Sequence, residues 1–525
     1  MKKTVIQQSG LSLLLCLMVL AMVPQAKADT VANSLRITEL MYHPGHSSTL
    51  DDPNLLEYVE LQNTGSSPIN LSLVSFIEGI DFTFGNIDLL PNEYCLIVRD
   101  EVAFENNYGN NHFLAGQYVG SLNDGGEKVE FVDAAGNTIQ SFSYNDRWYP
   151  NTEGQGASLI VNDPTSTRTG HLSKRSDWRP SALVGGSPST EDAPAEHAPG
   201  TVVINELLAH SHDVAADWIE LYNTSDQAIS IGGWYLSDEP KKLMKYEIAA
   251  GTIIGPNSFF ILHQEAHFGN ANDPGSQSAF ALSENGEIIY LHSGSNGVLG
   301  TYSEQEEFGA SETGVSFGRH LKSTNTYNFV AMSINSPGWE NEYPKVGPVV
   351  ISEVMYHPAN LKDAEYIELH NVTDEPITLV NANSTLGWRF YDEGGLDFSF
   401  PTDLPVTLAA DERLLLVNNM AIAQWEYSIA NGVQVFQWDA GKLSNDSERL
   451  QLDRPGELDG KGKQKWIRID RITYSDGSNH QDYLSGTDPW PTKADGEGFS
   501  LSRINALDYG NDPANWDASV PSPGN

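Results

Sequence analysis

"RITELMYHP" (36–44) followed by "EYVELQNT" (57–64) decides the fold, because the same two-part phrase returns twice more. It reappears as "VINELLAH" (203–210) with "DWIELYNT" (217–224), and as "VISEVMYHP" (350–358) with "EYIELHNVT" (365–373). Each phrase alternates apolar and polar residues with the two-residue period of a strand. The copies begin at 37, 204 and 351, spacings of 167 and 147 residues. Units of that size bury their own cores, so the repeat predicts three separate domains rather than turns of a solenoid.

The order persists downstream. "SLNDGGEKVEFVD" (121–133), "ALSENGEIIYLH" (281–292) and "KLSNDSERLQLD" (442–453) each read as a turn followed by an alternating strand. "GASLIV" (156–161), "GVSFGRH" (314–320) and "GFSLSRI" (498–504) come next, and the units close near "GGSPS", "NSPGW" and "PSPGN". Helical periodicity is weak, with "DEVAFENNYG" (100–109) and "AIAQWEY" (421–427) as the two short candidates. The expected fold is all-β: three tandem immunoglobulin-like antiparallel β-sandwiches. Trp234 and Trp388 follow Gly at matching places and are expected in the core.

The expected division is a signal peptide at 1–28, a first domain at 29–189, a linker at 190–200, a second domain at 201–343, a linker at 344–348 and a third domain at 349–525. The leader carries Lys2 and Lys3, an apolar run from Leu11 to Val23 and the small-residue site Ala26-Lys27-Ala28, so the chain is expected to be exported, to the periplasm or beyond the cell. Cys16 lies inside that apolar run with Leu15 before it, which argues against a lipid anchor. Later segments fall short of the ~20 apolar residues that a helical span needs.

The sequence carries 30 Lys and Arg against 70 Asp and Glu, a formal charge of −40, and loss of the leader removes three Lys and no acid. Nucleic acid is an unsuitable partner for such a chain, since phosphate contacts need clustered Lys and Arg. A protein or surface-glycan partner is expected instead. Beyond the leader Cys95 is the single cysteine, so the domains are held by hydrophobic cores and not by disulfides.

The opening "I-(T/N/S)-E", the second strand "(E/D)-(Y/W)-(V/I)-E-L" with Asn63, Asn223 or Asn371 after it, "GWYLSD" (233–238) and the Pro-Gly ending together resemble the lamin-tail domain. That family is the immunoglobulin-like sandwich of nuclear lamins and of many exported bacterial proteins. The resemblance extends over nearly all of the chain after the leader, as three copies of the bacterial exported type, and it implies an interaction role without supplying catalytic residues. Copy two departs from it, reading "LLAH" where the others read "MYHP". Bacterial members are often fused to catalytic domains, and the three units leave little sequence for one.

The residues themselves offer several sites. Glu39, Glu206 and Glu353 recur on the first strand and Glu60, Glu220 and Glu368 on the second. Strict alternation puts Glu39, Glu206 and Glu353 on the face of Ile37, Ile204 and Ile351, partly buried and in need of donors. With Asp453 and Asp459 of "DRPGELDGKGK" (453–463), which reads as a polar hairpin tip, they are the candidates for Ca2+; otherwise no cofactor is expected. His43, His210 and His357 follow the first Glu by four residues and read as turn histidines, without a dense zinc pattern. Ser316 sits in a Gly-x-Ser-x-Gly pattern, but its counterparts Ser158 and Ser500 are followed by Ile160 and Ser502 where the second Gly should stand. A nucleophile elbow needs that Gly, so Ser316 belongs to a late strand. No catalytic residue is assigned. The function expected is a non-enzymatic exported scaffold or adhesion protein. The alternatives are a glycan-binding accessory protein, using Trp148 and Trp490 in Pro-rich loops, or a protein associated with a hydrolase or phosphoesterase.

Overall fold

The structure, a computed structural model, describes residues 30–45, 50–166, 170–194, 197–212, 216–381, 385–480, 483 and 485–525. Residues 1–29, which hold the expected leader and Cys16, lie outside the described residues. Strands occupy 38% of the described residues and helix 8%, an all-β balance.

Each unit has two main facing sheets over one core, with a two-stranded sheet beside them (Ile69–Asn70 with Asp88–Leu89 in the first). In the first, the larger sheet runs in the order Trp178–Pro180, Leu159–Val161, Leu35–Met41, Tyr58–Asn63, Tyr94–Val98, Leu114–Gln117. The smaller runs Thr138–Ser143, Lys128–Val132, Ser75–Glu78, Phe82–Thr83. The third unit repeats the larger sheet strand for strand in the reverse listing: Gln434–Gln437, Arg413–Val417, Tyr366–Asn371, Val349–Met355, Ser500–Arg503, Trp516–Ser519. The second unit has a five-stranded larger sheet, which ends at Phe259–His263.

The inward residues of the repeated phrase form the cores. Leu35, Ile37, Leu40 and Tyr42 pack with Val59, Leu61, Phe76, Phe131 and Trp178 in the first unit. Ile204, Leu207, Ile219 and Leu221 pack with Trp234 in the second, and Ile351, Val354, Ile367 and Leu369 with Trp388 in the third. Asn63, Asn223 and Asn371 are fully buried, and each amide donates to a carbonyl of the turn that follows and to one on a remote strand, for example Asn63 Nδ2 to Ser67 O at 2.9 Å and to Leu89 O at 2.9 Å. An Asx contact of this kind lets one side chain fix a turn.

The sheets are not wholly antiparallel as expected. Tyr94–Val98 pairs parallel with Leu114–Gln117, and Arg413–Val417 pairs parallel with Gln434–Gln437. A parallel partner needs a crossover, and the two short helices supply it. Glu101–Tyr108 is capped by Asp100 and Met420–Glu426 by Asn419, each accepting from a backbone N–H of the first turn. These helices lie at the positions read as helical, and their side chains cover the outer face of the larger sheet: Phe104 packs on Met41, Tyr58, Leu96 and Val98. Ala423 does the same on Met355, Tyr366, Leu415 and Val417.

The linkers are hydrogen-bonded. Asp192 accepts from Ala182 N at 3.0 Å and pairs with Arg179, while Lys345 N donates to Ala331 O at 2.8 Å. Cys95 sits in mid-sheet opposite Leu61, wholly buried, and burial pushes its thiol far above its ordinary range. In the leader-free chain Cys95 is therefore expected to resist an aromatic disulfide reagent at pH 8 and to react stoichiometrically in denaturant; rapid native-state reaction would contradict this packing.

Candidate functional site

The first strand of every unit breaks its alternation at one place. A β-bulge lies between Ile37 and Glu39, between Ile204 and Glu206, and between Ile351 and Glu353. The extra residue of a bulge shifts everything after it by one position. Glu39, Glu206 and Glu353 consequently point to the face opposite Ile37, Ile204 and Ile351, which corrects the shared face expected from alternation. They stand directly across the strand pair from Glu60, Glu220 and Glu368.

These six carboxylates are all buried, beneath the chain segment that closes each unit. Glu39 accepts from Tyr58 OH and Ser158 Oγ, both at 2.5 Å, and from Ser187 N at 3.0 Å and Ser187 Oγ at 3.1 Å. Glu206 accepts from Ser316 Oγ at 2.5 Å, Ser336 N at 3.1 Å and Ser336 Oγ at 2.9 Å. Glu353 accepts from Ser500 Oγ and from Ser522 N at 3.0 Å. The second carboxylate of each pair takes the backbone N–H two residues further on: Glu60 from Ser189 at 2.6 Å, Glu220 from Gly338, Glu368 from Gly524 at 2.7 Å. It also takes the side chain at the bulge: Thr38 Oγ1 at 2.7 Å, Asn205 Nδ2 at 2.8 Å, Ser352 Oγ at 2.6 Å.

The recurring Ser-Pro-x ending is thus a latch read by two glutamates. Its donors, Ser187, Ser336 and Ser522 with Ser189, Gly338 and Gly524, were not singled out from sequence, although the repeated "SP" was the available signal. Gly186, at φ +79°, allows the turn to pass over Glu39, and a Cβ there would collide with Glu39 Oε1 and Tyr58 OH.

Burial dominates the electrostatics. It raises Glu39 and Glu206 above the carboxylate range, raises Glu60 to about 8 with help from the Glu39 charge, and raises Glu220 and Glu368 to about 7. The donors oppose these shifts without cancelling them. Oxygens already facing N–H and O–H groups are poorly disposed toward Ca2+, which would have to displace those donors.

The remaining candidates are dispersed. Asp453 is buried in the strand Ser447–Leu458 and not in a loop, where it accepts from Arg389 Nε at 3.1 Å and Nη2 at 2.7 Å and from Gln451 Nε2 at 2.6 Å. Asp459 alone occupies the hairpin tip, accepting from Lys461 N at 2.9 Å and Lys463 N at 2.7 Å; those backbone bonds lower it. His43 faces Asp124 at 3.9 Å, and His357 Nδ1 meets Asp495 at 2.5 Å. His210 lies 3.6 Å from Glu284 and also approaches Glu457, but the Lys465 ammonium is bonded to Glu284. Ser316 is fully buried, and the strand Phe317–Leu321 after it leads into the hairpin partner Tyr327–Ala331 instead of a helix. Trp490 is buried in the third core and Trp148 packs against the first, so neither offers the free ring expected for a sugar. The exposed indoles are Trp339 and Trp425.

Each unit is thus a β-sandwich closed by this latch. The Lamin Tail Domain family model matches residues 28–146 and 195–305, in the first two units. No curated protein matches the chain. Among solved structures, a DUF4876 family protein from Bacteroides thetaiotaomicron VPI-5482 is similar at 11% identity, over 45% of this chain and 89% of that one, with a TM-score of 0.22.

Two outcomes follow from the latch. A carboxyl raised in the folded state binds its proton more tightly there than in the unfolded chain, so stability falls as pH rises from the unfolded value near 4.3 through the folded value. The unfolding temperature is expected to decline between about pH 5 and 8, and Glu60→Gln to flatten the decline for the first unit. Ser316→Ala, by leaving Glu206 short of a donor, is expected to cost about 1–3 kcal/mol in chemical denaturation; an unchanged midpoint would remove Ser316 from the latch.

Proposed function

We propose that the chain is an exported, non-enzymatic scaffold that presents three lamin-tail-like sandwiches as one body to a protein or surface-glycan partner. The third unit is read as a further copy because it repeats the strand order, the bulge and the latch of the first. The observation that carries the reading is the hydrogen bonding between units.

At the first junction Gln305 Nε2 donates to Arg147 O at 3.0 Å and Arg175 Nη2 to Ser303 O at 3.4 Å. At the second, Ser323 N donates to Asp512 at 2.8 Å and Tyr509 N to Tyr343 OH at 2.7 Å. Tyr509 OH and Asn511 Nδ2 both donate to Asn328 Oδ1 at 3.0 Å, and Arg454 pairs with Glu312 at 3.3 Å. Independent domains on free linkers have no need of such contacts; a spacer or platform does. The acidic surface favours a partner with basic groups and opposes self-association.

Solution X-ray scattering tests this. The leader-free chain is expected to keep one radius of gyration between 0.05 and 0.5 M salt, because half-buried polar contacts are only weakly screened. Asp512→Ala combined with Tyr343→Phe is expected to increase it. Expansion of the unaltered protein with salt would show hinged beads and overturn the reading.

A further inference from the structure

Between the second and third units lies a cavity of about 180 Å³. Its walls combine Phe317 and Val330 of the second unit with Tyr391, Trp466 and Tyr509 of the third. A cavity of ~150 Å³ is enough for one benzene ring, so this one has room for a single ring.

The charged lining is unbalanced. Every carboxylate in it already has a cation: Asp453 has Arg389 at 2.7 Å, Asp470 has Arg503 at 2.7 Å, and Glu312 has Lys345 at 2.7 Å as well as Arg454. Arg468 and Arg471 also line it, and among the described residues neither has an ion-pair partner within 4 Å. Arg471 Nε donates to the neutral Gln451 at 2.7 Å, and Arg468 Nε is buried without any partner. Both are depressed, chiefly by burial, and the neighbouring guanidinium of Arg468 helps bring Arg471 to about 10. Asp453 stands across the strand pair from Arg468 and attracts it but is already held by Arg389, so two adjacent buried cations share too little negative charge, which is costly unless something else neutralises them. Arg389 is wedged over the rings of Tyr391, at 4.7 Å, and Trp466, at 4.1 Å, and held by Asp453, so that wall is rigid.

We propose that this cavity binds a one-ring organic carboxylate, with the carboxylate on Arg468 and Arg471 and the ring against the aromatic and aliphatic wall. A guanidinium pair matches a carboxylate through parallel N–H donors, and the apolar wall rewards a ring over an inorganic oxyanion. The ring can be a uronate sugar, free or within an acidic glycan, or an aromatic acid; the recognition chemistry is shared. The inference rests on the platform reading only in naming a ligand for it, since such a ligand would touch both units across their junction.

The test is isothermal titration of the leader-free full chain with glucuronate, benzoate, glucose and sulfate. Binding of glucuronate or benzoate is expected, and whichever binds tighter identifies the source as sugar acid or aromatic acid. Glucose and sulfate are expected to bind at least tenfold more weakly than the better carboxylate. Arg471→Gln and Arg468→Gln are each expected to weaken that carboxylate at least tenfold, while Lys461→Gln at the exposed hairpin tip leaves it unchanged. The Arg471 variant serves alone should the Arg468 variant not fold. Absence of binding by both carboxylates, equal binding of sulfate, or undiminished binding in the arginine variants overturns the proposal. A salt-independent radius of gyration together with no ligand binding would sink this inference and leave the platform reading standing.

Discussion

Two carboxylates placed directly opposite each other on neighbouring strands repel, and burial makes the repulsion and the loss of hydration worse. The chain accepts this arrangement three times, at Glu39 and Glu60, Glu206 and Glu220, Glu353 and Glu368. What makes it tolerable is a ring of donors brought by remote segments: a serine from the penultimate strand region, and the hydroxyl and amides of the closing Ser-Pro-x turn. The end of each unit is thereby specified. A different segment laid over the same face would leave the acids unsatisfied, which is a stronger penalty than loss of apolar contact alone. The bulge is the other half of the device, because it turns the glutamate outward while the flanking Ile and Leu remain in the core, and it places Thr38, Asn205 or Ser352 where each donates to the second acid.

The acids and serines are occupied within each sandwich, and the proposed ligand site lies elsewhere, at the second junction. Polar contacts join the units in sequence, and the second junction gathers arginines that a strongly acidic chain would be expected to pair. Arg389 is held by Asp453, whereas Arg468 has a buried Nε without a partner, and the proposal rests on that contrast.

Much of this was legible in the residues. The repeated phrase placed the first two strands of each unit, Trp234 and Trp388 lay in the core as their shared Gly-Trp context indicated, and two weak helical segments proved to be the helices Glu101–Tyr108 and Met420–Glu426. Ser316 was correctly separated from a nucleophile elbow by comparing copies. Other features were misread for definite reasons. The face of Glu39 depended on a bulge, which alternation cannot reveal because one extra residue inverts the pattern. For Trp490 the Pro-rich context left both core packing and an exposed ring open, and the ring turns inward against Trp516. Asp453 was placed in a hairpin tip, whereas the strand continues to Leu458 and the tip begins at Asp459.

By itself the sequence determined the all-β class, the threefold repeat and the core-forming positions, since all three follow from local periodicity and from comparing one stretch of chain with another. The tertiary structure alone decided which donors meet the glutamates, that the edge strands Leu114–Gln117 and Gln434–Gln437 run parallel, and that Arg468 and Arg471 face a cavity shared by two units. The latch joins residues more than a hundred positions apart, such as Glu39 with Ser187, the parallel edges depend on how a crossover folds back, and the arginines lie at a junction. Their partners are set by where folding brings the chain, and no local pattern records that.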